Sequence, residues 1–99
     1  MRLTEAQRRA IVEETARIFG PEARVRLFGS RVDDHARGGD IDLYVEVDQA
    51  IPNRAAAASR LAAQLQLALG EQHIDIILVD ASTAPQAIHD LARREGIAL

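Results

Sequence analysis

The chain has 99 residues, of which 47% are hydrophobic and 27% charged, and its formal net charge is −3. This length and composition predict one globular domain spanning residues 1–99. Cysteine is absent, which excludes disulfide bonds, zinc ribbons and thiol nucleophiles. All 12 basic residues are arginines, so a Schiff-base lysine and the lysine of a phosphate-binding loop are excluded as well.

Charge and hydropathy also narrow the expected partners. A mildly acidic chain does not suit a surface that coats nucleic acid, so direct nucleic-acid binding is not expected, although a small nucleotide remains compatible. No apolar run approaches the roughly 20 residues that span a bilayer, and the first residues form no apolar signal region. We therefore expect a cytoplasmic protein without membrane contact.

The first part of the chain predicts a helix followed by a strand. Thr4 and Gln7 have the spacing of a capping box, which places a helix start at Thr4. Gly20 and Pro21 predict its end. Residues 24–28 form a predicted short strand, and residues 29–39 a polar connection that contains glycines.

The second part predicts two more strands and two more helices. Apolar and polar residues alternate strictly over residues 41–47, which is typical of a strand with one buried face. A helix is predicted from residues 52–53 to about residue 69, a strand at 74–79, and a last helix from Thr83 to about Arg94. Residues 97–99 could add an edge strand. These elements predict an α+β fold, in which helices pack on a small mixed sheet because the strand connections permit both antiparallel and parallel pairing.

Asp40 and Asp42 are the first candidates for a chemical role. Two residues apart on a strand, their carboxylates project from the same face, with Cα atoms roughly 6–7 Å apart. Such a pair can converge on one or two Mg²⁺ ions, which prefer oxygen ligands and commonly use one or two protein carboxylates. The alternative is an ordinary strand end with a solvated polar face.

Asp75 lies on the third predicted strand between apolar neighbours. A carboxylate is costly to bury there unless it is paired or bound to metal. Two alternatives remain open, an exposed position at the strand end and a salt bridge to one of the arginines.

Gly29 and Ser30 follow the first predicted strand directly. Glycine permits close approach of the backbone to a ligand, and a helical turn starting at Ser30 would suit a phosphate. Arg31 and Arg37 flank this loop and could contact phosphate groups. An ordinary turn with solvated arginines is the alternative.

The remaining polar and aromatic residues give weaker indications. His35, His73 and His89 do not have a metal-binding spacing, although His73 is close enough in sequence to Asp75 to feel its charge. Tyr44 shares the strand face of the carboxylates. It could line a nucleotide pocket, but aromatic packing on the sheet is the preferred interpretation.

Taken together, these residues resemble the signature of the DNA polymerase β-like nucleotidyltransferase superfamily. The stretch FGSRVDDHARGGDIDLYVEVD, residues 28–48, has Gly-Ser, nine intervening residues and then Asp-x-Asp, and HIDIILVD supplies a third strand aspartate. The resemblance covers residues 28–80, about half of the chain. Gly38 and Gly39 depart from it, because a polar residue is more usual before the first aspartate.

The resemblance implies a function and a set of roles. Asp40, Asp42 and Asp75 would be catalytic and would hold metal, either two Mg²⁺ ions or Mn²⁺ in place of Mg²⁺. Asp75 would be either a metal ligand or the base that activates the acceptor hydroxyl. Gly29, Ser30 and Arg31 would bind the triphosphate, most simply ATP, whose AMP is transferred to a hydroxyl.

The small size of the chain is similar to that of minimal nucleotidyltransferase (MNT) antitoxins, which are encoded beside HEPN proteins. The expected partner is therefore a HEPN-type toxin, modified and neutralised in a hetero-oligomer. One alternative is a binding antitoxin without catalysis. The other is an antibiotic-modifying nucleotidyltransferase, although such enzymes need an additional acceptor-binding domain.

Overall fold

The computed structural model describes residues 3–29, 40–70, 72–83 and 95–99. Within these ranges the secondary structure consists of two helices and four strands: α1 (Glu5–Phe19), β1 (Arg24–Phe28), β2 (Ile41–Glu46), α2 (Arg54–Leu69), β3 (Ile74–Val79) and β4 (Ile97–Ala98). These bounds agree closely with the predicted ones, and they confirm the edge strand near the end of the chain. None of the helices described is long and apolar enough to cross a membrane.

Local side-chain bonds fix the helix ends. The Thr4 hydroxyl accepts from the backbone N–H of Gln7 at 3.0 Å, and the Gln7 side chain accepts from the N–H of Thr4 at 2.9 Å, which confirms the predicted capping box. Asn53 caps α2 by accepting from the N–H of Ala56. The helix begins just after it, two residues into the predicted range.

The four strands form one mixed sheet in the order β3-β2-β1-β4. Strand β1 pairs antiparallel with β2 and with β4, whereas β2 and β3 are parallel. The parallel pair is possible because α2 crosses over between the two strands. This architecture, with two helices on a small mixed sheet, confirms the predicted α+β class.

One face of the sheet packs against both helices and forms the main core. Its central residues are apolar side chains that are almost inaccessible to solvent: Ile11, Leu27, Ile41, Leu43, Val45, Leu61 and Leu65. The other face carries a smaller cluster in which Tyr44 is fully buried against Val79, with Phe28 and Ile77 beside it. The preferred packing role of Tyr44 is thus confirmed.

Asp80 joins three segments at the end of β3. Its buried carboxylate accepts from the backbone N–H of Ile51 at 2.6 Å and from the N–H and hydroxyl of Ser82. Arg54, the first residue of α2, lies 3.6 Å away. The connection before α2 is therefore fastened to the turn after β3.

Thr83 belongs to the same junction. Its hydroxyl accepts from the N–H of Asp80 at 2.9 Å and donates to the Asp80 carboxylate at 3.0 Å, and Arg54 donates to it as well. The predicted helix from Thr83 to Arg94 lies outside the described residues beyond Thr83 itself, and so does its second capping residue, Gln86.

We expect Asp80→Asn to destabilise the domain, lowering Tm by roughly 10 °C, because an amide cannot replace a carboxylate that accepts several hydrogen bonds in a buried site. The bonds from Ile51 and Ser82 hold the pKa of Asp80 well below its ordinary value of 3.8. For such a lowered pKa, the stabilisation is present above the ordinary value and is lost as the pH falls toward the folded one. Thermal unfolding between pH 3 and 7 should therefore show a weaker acid dependence in Asp80→Asn than in wild type. An equal dependence would contradict the role of this carboxylate.

Candidate functional site

The sheet register brings two of the predicted aspartates together. Asp42 pairs with Asp75 across the parallel strands β2 and β3, and with Phe28 across the antiparallel pair β1 and β2. Residues paired across neighbouring strands project from the same face. Because the parallel strands β2 and β3 start at the same end of the sheet, both carboxylates lie there, beside the end of β1. This end of the strands is called the sheet edge below.

Gly29 lies directly against the Asp42 carboxylate. Its backbone has a φ of +79°, in the region that glycine adopts readily and other residues rarely do. A Cβ atom at this position would lie only 2.3 Å from Oδ2 of Asp42. Glycine is therefore required here for two separate reasons, the backbone conformation and the space that the carboxylate occupies.

The carboxylates repel each other, and Asp42 shows the effect most clearly. Partial burial raises the pKa of Asp42, and the negative charges of Asp75 and Asp40 raise it further. A hydrogen bond to Asp75 also favours the protonated form of Asp42. The charge of His73 lowers the pKa of Asp42 and so offsets only part of this repulsion. The remaining negative charge favours binding of a cation.

Asp40 belongs to the same cluster through His73. Nδ1 of His73 lies 3.3 Å from Oδ2 of Asp40, and Nε2 lies 3.4 Å from Oδ1 of Asp75. The hydrogen bond to Asp40 and the negative charge of Asp75 raise the pKa of His73. Its side chain is 64% exposed, so the cluster opens to solvent at the sheet edge.

The predicted site residues are thus only partly accounted for. The structure brings Asp40, Asp42 and Asp75 to one edge, with Gly29 beside them, whereas Ser30, Arg31 and Arg37 lie outside the described residues. Of the alternatives left open for Asp75, the structure supports an exposed position near the strand end, because its side chain is 56% exposed. It lies near the start of β3, where the sheet edge meets solvent.

The donor groups fit a divalent cation. One ligand atom from each of Asp40, His73 and Asp75 lies within 4.8 Å of the others. Asp42 adds a carboxylate beside Asp75. Carboxylate oxygens suit Mg²⁺ and Mn²⁺, and a mixture of carboxylate and imidazole also suits later transition metals. These four side chains are therefore the ones that would hold the metal implied by the sequence resemblance.

Sequence reasoning missed His73 and Asp80. The sequence places His73 close to Asp75, and residues 73 and 75 point the same way in an extended chain, but its contact with Asp40 requires the pairing of β2 with β3. Asp80 gave no local signal, because its partners at residues 51, 54, 82 and 83 become neighbours only when α2 and β3 are folded.

A separate cavity of about 240 Å³ lies at the other end of the sheet, lined by residues that include Phe19, Val47 and Ile51. It sits where β1 begins and β2 ends, whereas the carboxylates lie where β1 ends and β2 begins. The cavity lining includes two carboxylates, Glu22 and Asp48, but Asp48 is paired with Arg24. The cluster of Asp40, Asp42 and Asp75 is therefore the stronger candidate for a functional site.

Comparison with protein-family models, with curated proteins and with solved structures gave no match. The function of the protein is therefore inferred from the residues of this chain and from their arrangement.

We expect Gly29→Ala to displace the Asp42 carboxylate and to weaken binding of Mg²⁺, in addition to the cost of placing alanine at positive φ. Gly70→Ala is the matched control, because Gly70 has a φ of +87° and open space around its Cβ position. Both variants should lose stability through backbone strain, and only Gly29→Ala should lose metal affinity as well. Calorimetric Mg²⁺ titration of the two variants checks this, and equal affinity in both would contradict the close approach of Gly29 to the site.

Proposed function

We propose that this protein is a nucleotidyltransferase that moves AMP from ATP to a hydroxyl acceptor. The observation that carries the proposal is the pairing of Asp42 with Asp75 at one sheet edge, with the backbone of Gly29 against the Asp42 carboxylate. Asp40 and Asp42, two residues apart, meet the distant Asp75 at the end of the sheet where Gly29 follows β1. This arrangement supports the function that the sequence resemblance implies.

The proposed roles follow from exposure and position. Asp40, Asp42 and Asp75 hold Mg²⁺, and when bound this metal supplies positive charge to the phosphate oxygens as negative charge develops on them. Gly29, with Ser30 and Arg31 after it in the sequence, would bind the triphosphate, as the resemblance implies. Asp75 is more than half exposed, so its carboxylate is accessible either to the metal or, in the alternative role of base, to the proton of an incoming hydroxyl.

The reaction follows from these roles. The acceptor oxygen bonds to the α-phosphorus, the bond from that phosphorus to the bridging oxygen breaks, and pyrophosphate leaves. The sheet edge positions the reacting groups, and such positioning accounts for much of the catalysis in phosphoryl transfer.

The size of the domain supports a macromolecular acceptor. Both helices cover the core face of the sheet, and the cavity of about 240 Å³ lies at the other end of the sheet, where it cannot present a small-molecule acceptor to the carboxylates. We propose a HEPN-type toxin as the acceptor, modified on a tyrosine hydroxyl. Arg9 on α1 is exposed and can face such a partner. Arg8 is less available, because it pairs with Glu5 and donates to the carbonyl of Leu99.

A second candidate function is binding of the toxin without catalysis. His73 favours it, because a protonated imidazole between Asp40 and Asp75 partly neutralises the cluster and could keep the carboxylates together as a structural feature. Convergence of the carboxylates does not by itself distinguish the two functions. A transfer experiment does.

We expect the wild-type protein, co-expressed with a HEPN-type partner, to transfer label from α-labelled ATP and not from γ-labelled ATP. Asp42→Asn should lower transfer by on the order of 100-fold or more, since loss of a contact that merely supports a metal ligand already costs roughly 10–100-fold. Intact mass should show one AMP, or a small multiple, on the partner.

Asp48→Asn is the control for this experiment. Asp48 is an exposed carboxylate just beyond β2, paired with Arg24 and remote from the cluster, so this variant should transfer normally. A partner that is neutralised equally well by wild type and Asp42→Asn, without added mass, would favour the binding function. Robust transfer to a small molecule instead would favour the antibiotic-modifying alternative.

A further inference from the structure

His73 is held at the cluster by its backbone as well as by its side chain. Its carbonyl accepts from the backbone N–H of Ile41 at 2.9 Å, which extends the β2–β3 ladder by one bond before β3 begins. The residue is thereby fixed beside Asp40, the neighbour of Ile41. The sheet thus fixes the backbone of His73, and the contacts of its ring with two carboxylates orient the side chain.

The ring presents one nitrogen to each of two carboxylates. Nδ1 faces Asp40 at 3.3 Å and Nε2 faces Asp75 at 3.4 Å. A histidine that donates from one nitrogen to a carboxylate has the other nitrogen oriented for a metal, a combination that recurs at protein metal sites. Here Oδ2 of Asp40 can orient the ring while its other oxygen remains available to a metal, and Nε2 lies on the same side of the cluster as Asp75.

We propose that His73 supplies a nitrogen ligand at this edge, so that the site divides into an oxygen-only half at Asp42 and Asp75 and a mixed half at His73 and Asp75. This inference rests on the proposed metal role of the aspartates and concerns which ions the site prefers. The mixed half selects a first-row transition ion such as Co²⁺ over Mg²⁺.

The selectivity follows from ligand chemistry. Mg²⁺ prefers oxygen and gives up its water reluctantly, whereas imidazole nitrogen raises affinity for Co²⁺, Ni²⁺ and Zn²⁺. Replacing one nitrogen donor by an oxygen donor should therefore weaken Co²⁺ binding and leave Mg²⁺ binding nearly unchanged. His73→Gln makes this replacement with a side chain of similar reach, at an exposed position where the fold tolerates it.

The test is calorimetric titration of metal-free protein with Co²⁺ and, separately, with Mg²⁺. We expect His73→Gln to weaken Co²⁺ binding by roughly tenfold or more and to change Mg²⁺ binding by less than about threefold. The visible absorption spectrum of bound Co²⁺ should also change, because a nitrogen ligand has been lost. Asp48→Asn should match wild type for both ions, which controls for a change at an exposed polar position.

Two outcomes would overturn the inference. Equal affinities of wild type and His73→Gln for Co²⁺, with identical spectra, would show that the nitrogen is not a ligand. An equal loss for Co²⁺ and Mg²⁺ would show that His73 acts only on the shape or charge of the site. Absence of binding of either ion to wild type would instead contradict the proposed metal role of the aspartates, so the two failures are distinguishable.

Discussion

The parallel pairing of β2 with β3 is the constraint on which the site depends. It sets Asp42 beside Asp75, and the resulting repulsion, added to partial burial, raises the pKa of Asp42. A fold gains nothing from two adjacent like charges by themselves, because each disfavours ionisation of the other. We propose that the cluster is a cation site, in which a bound ion would offset the repulsion that the sheet imposes.

Other parts of the structure hold this pairing in place. The crossover through α2 permits the parallel register, and the buried Asp80 fastens the start of that crossover, at Ile51, to the turn after β3, at Ser82. At the other end of these strands from Asp80, β1 ends at Phe28, and the following Gly29 lies against the Asp42 carboxylate. Stability at one end of the sheet and chemistry at the other thus depend on the same two strands.

Much of this arrangement could be predicted from local sequence patterns. Strict alternation identified β2, the capping box identified the start of α1, and the lengths of the connections predicted a mixed sheet. Asp40, Asp42 and Asp75 were identifiable because they occur on strand patterns. The partners of Asp80 were not, because contacts between residues 29 positions apart leave no periodic trace. The exposure of Asp75 and the bridging position of His73 likewise depend on where the sheet edge meets solvent.

The central claim is that Asp42 and Asp75 form a cation site, and thermal unfolding of wild type and Asp42→Asn near pH 7, with and without Mg²⁺, tests it most directly. A carboxyl with a raised folded pKa favours folding at low pH, and this contribution is lost as the pH rises from its ordinary value of 3.8 through the folded one. Without Mg²⁺, Asp42→Asn should therefore melt at a higher temperature than wild type. With Mg²⁺ in excess, wild type should gain stability through binding and the order should reverse. A wild type that does not respond to Mg²⁺, or an equal response in Asp42→Asn, would contradict the claim.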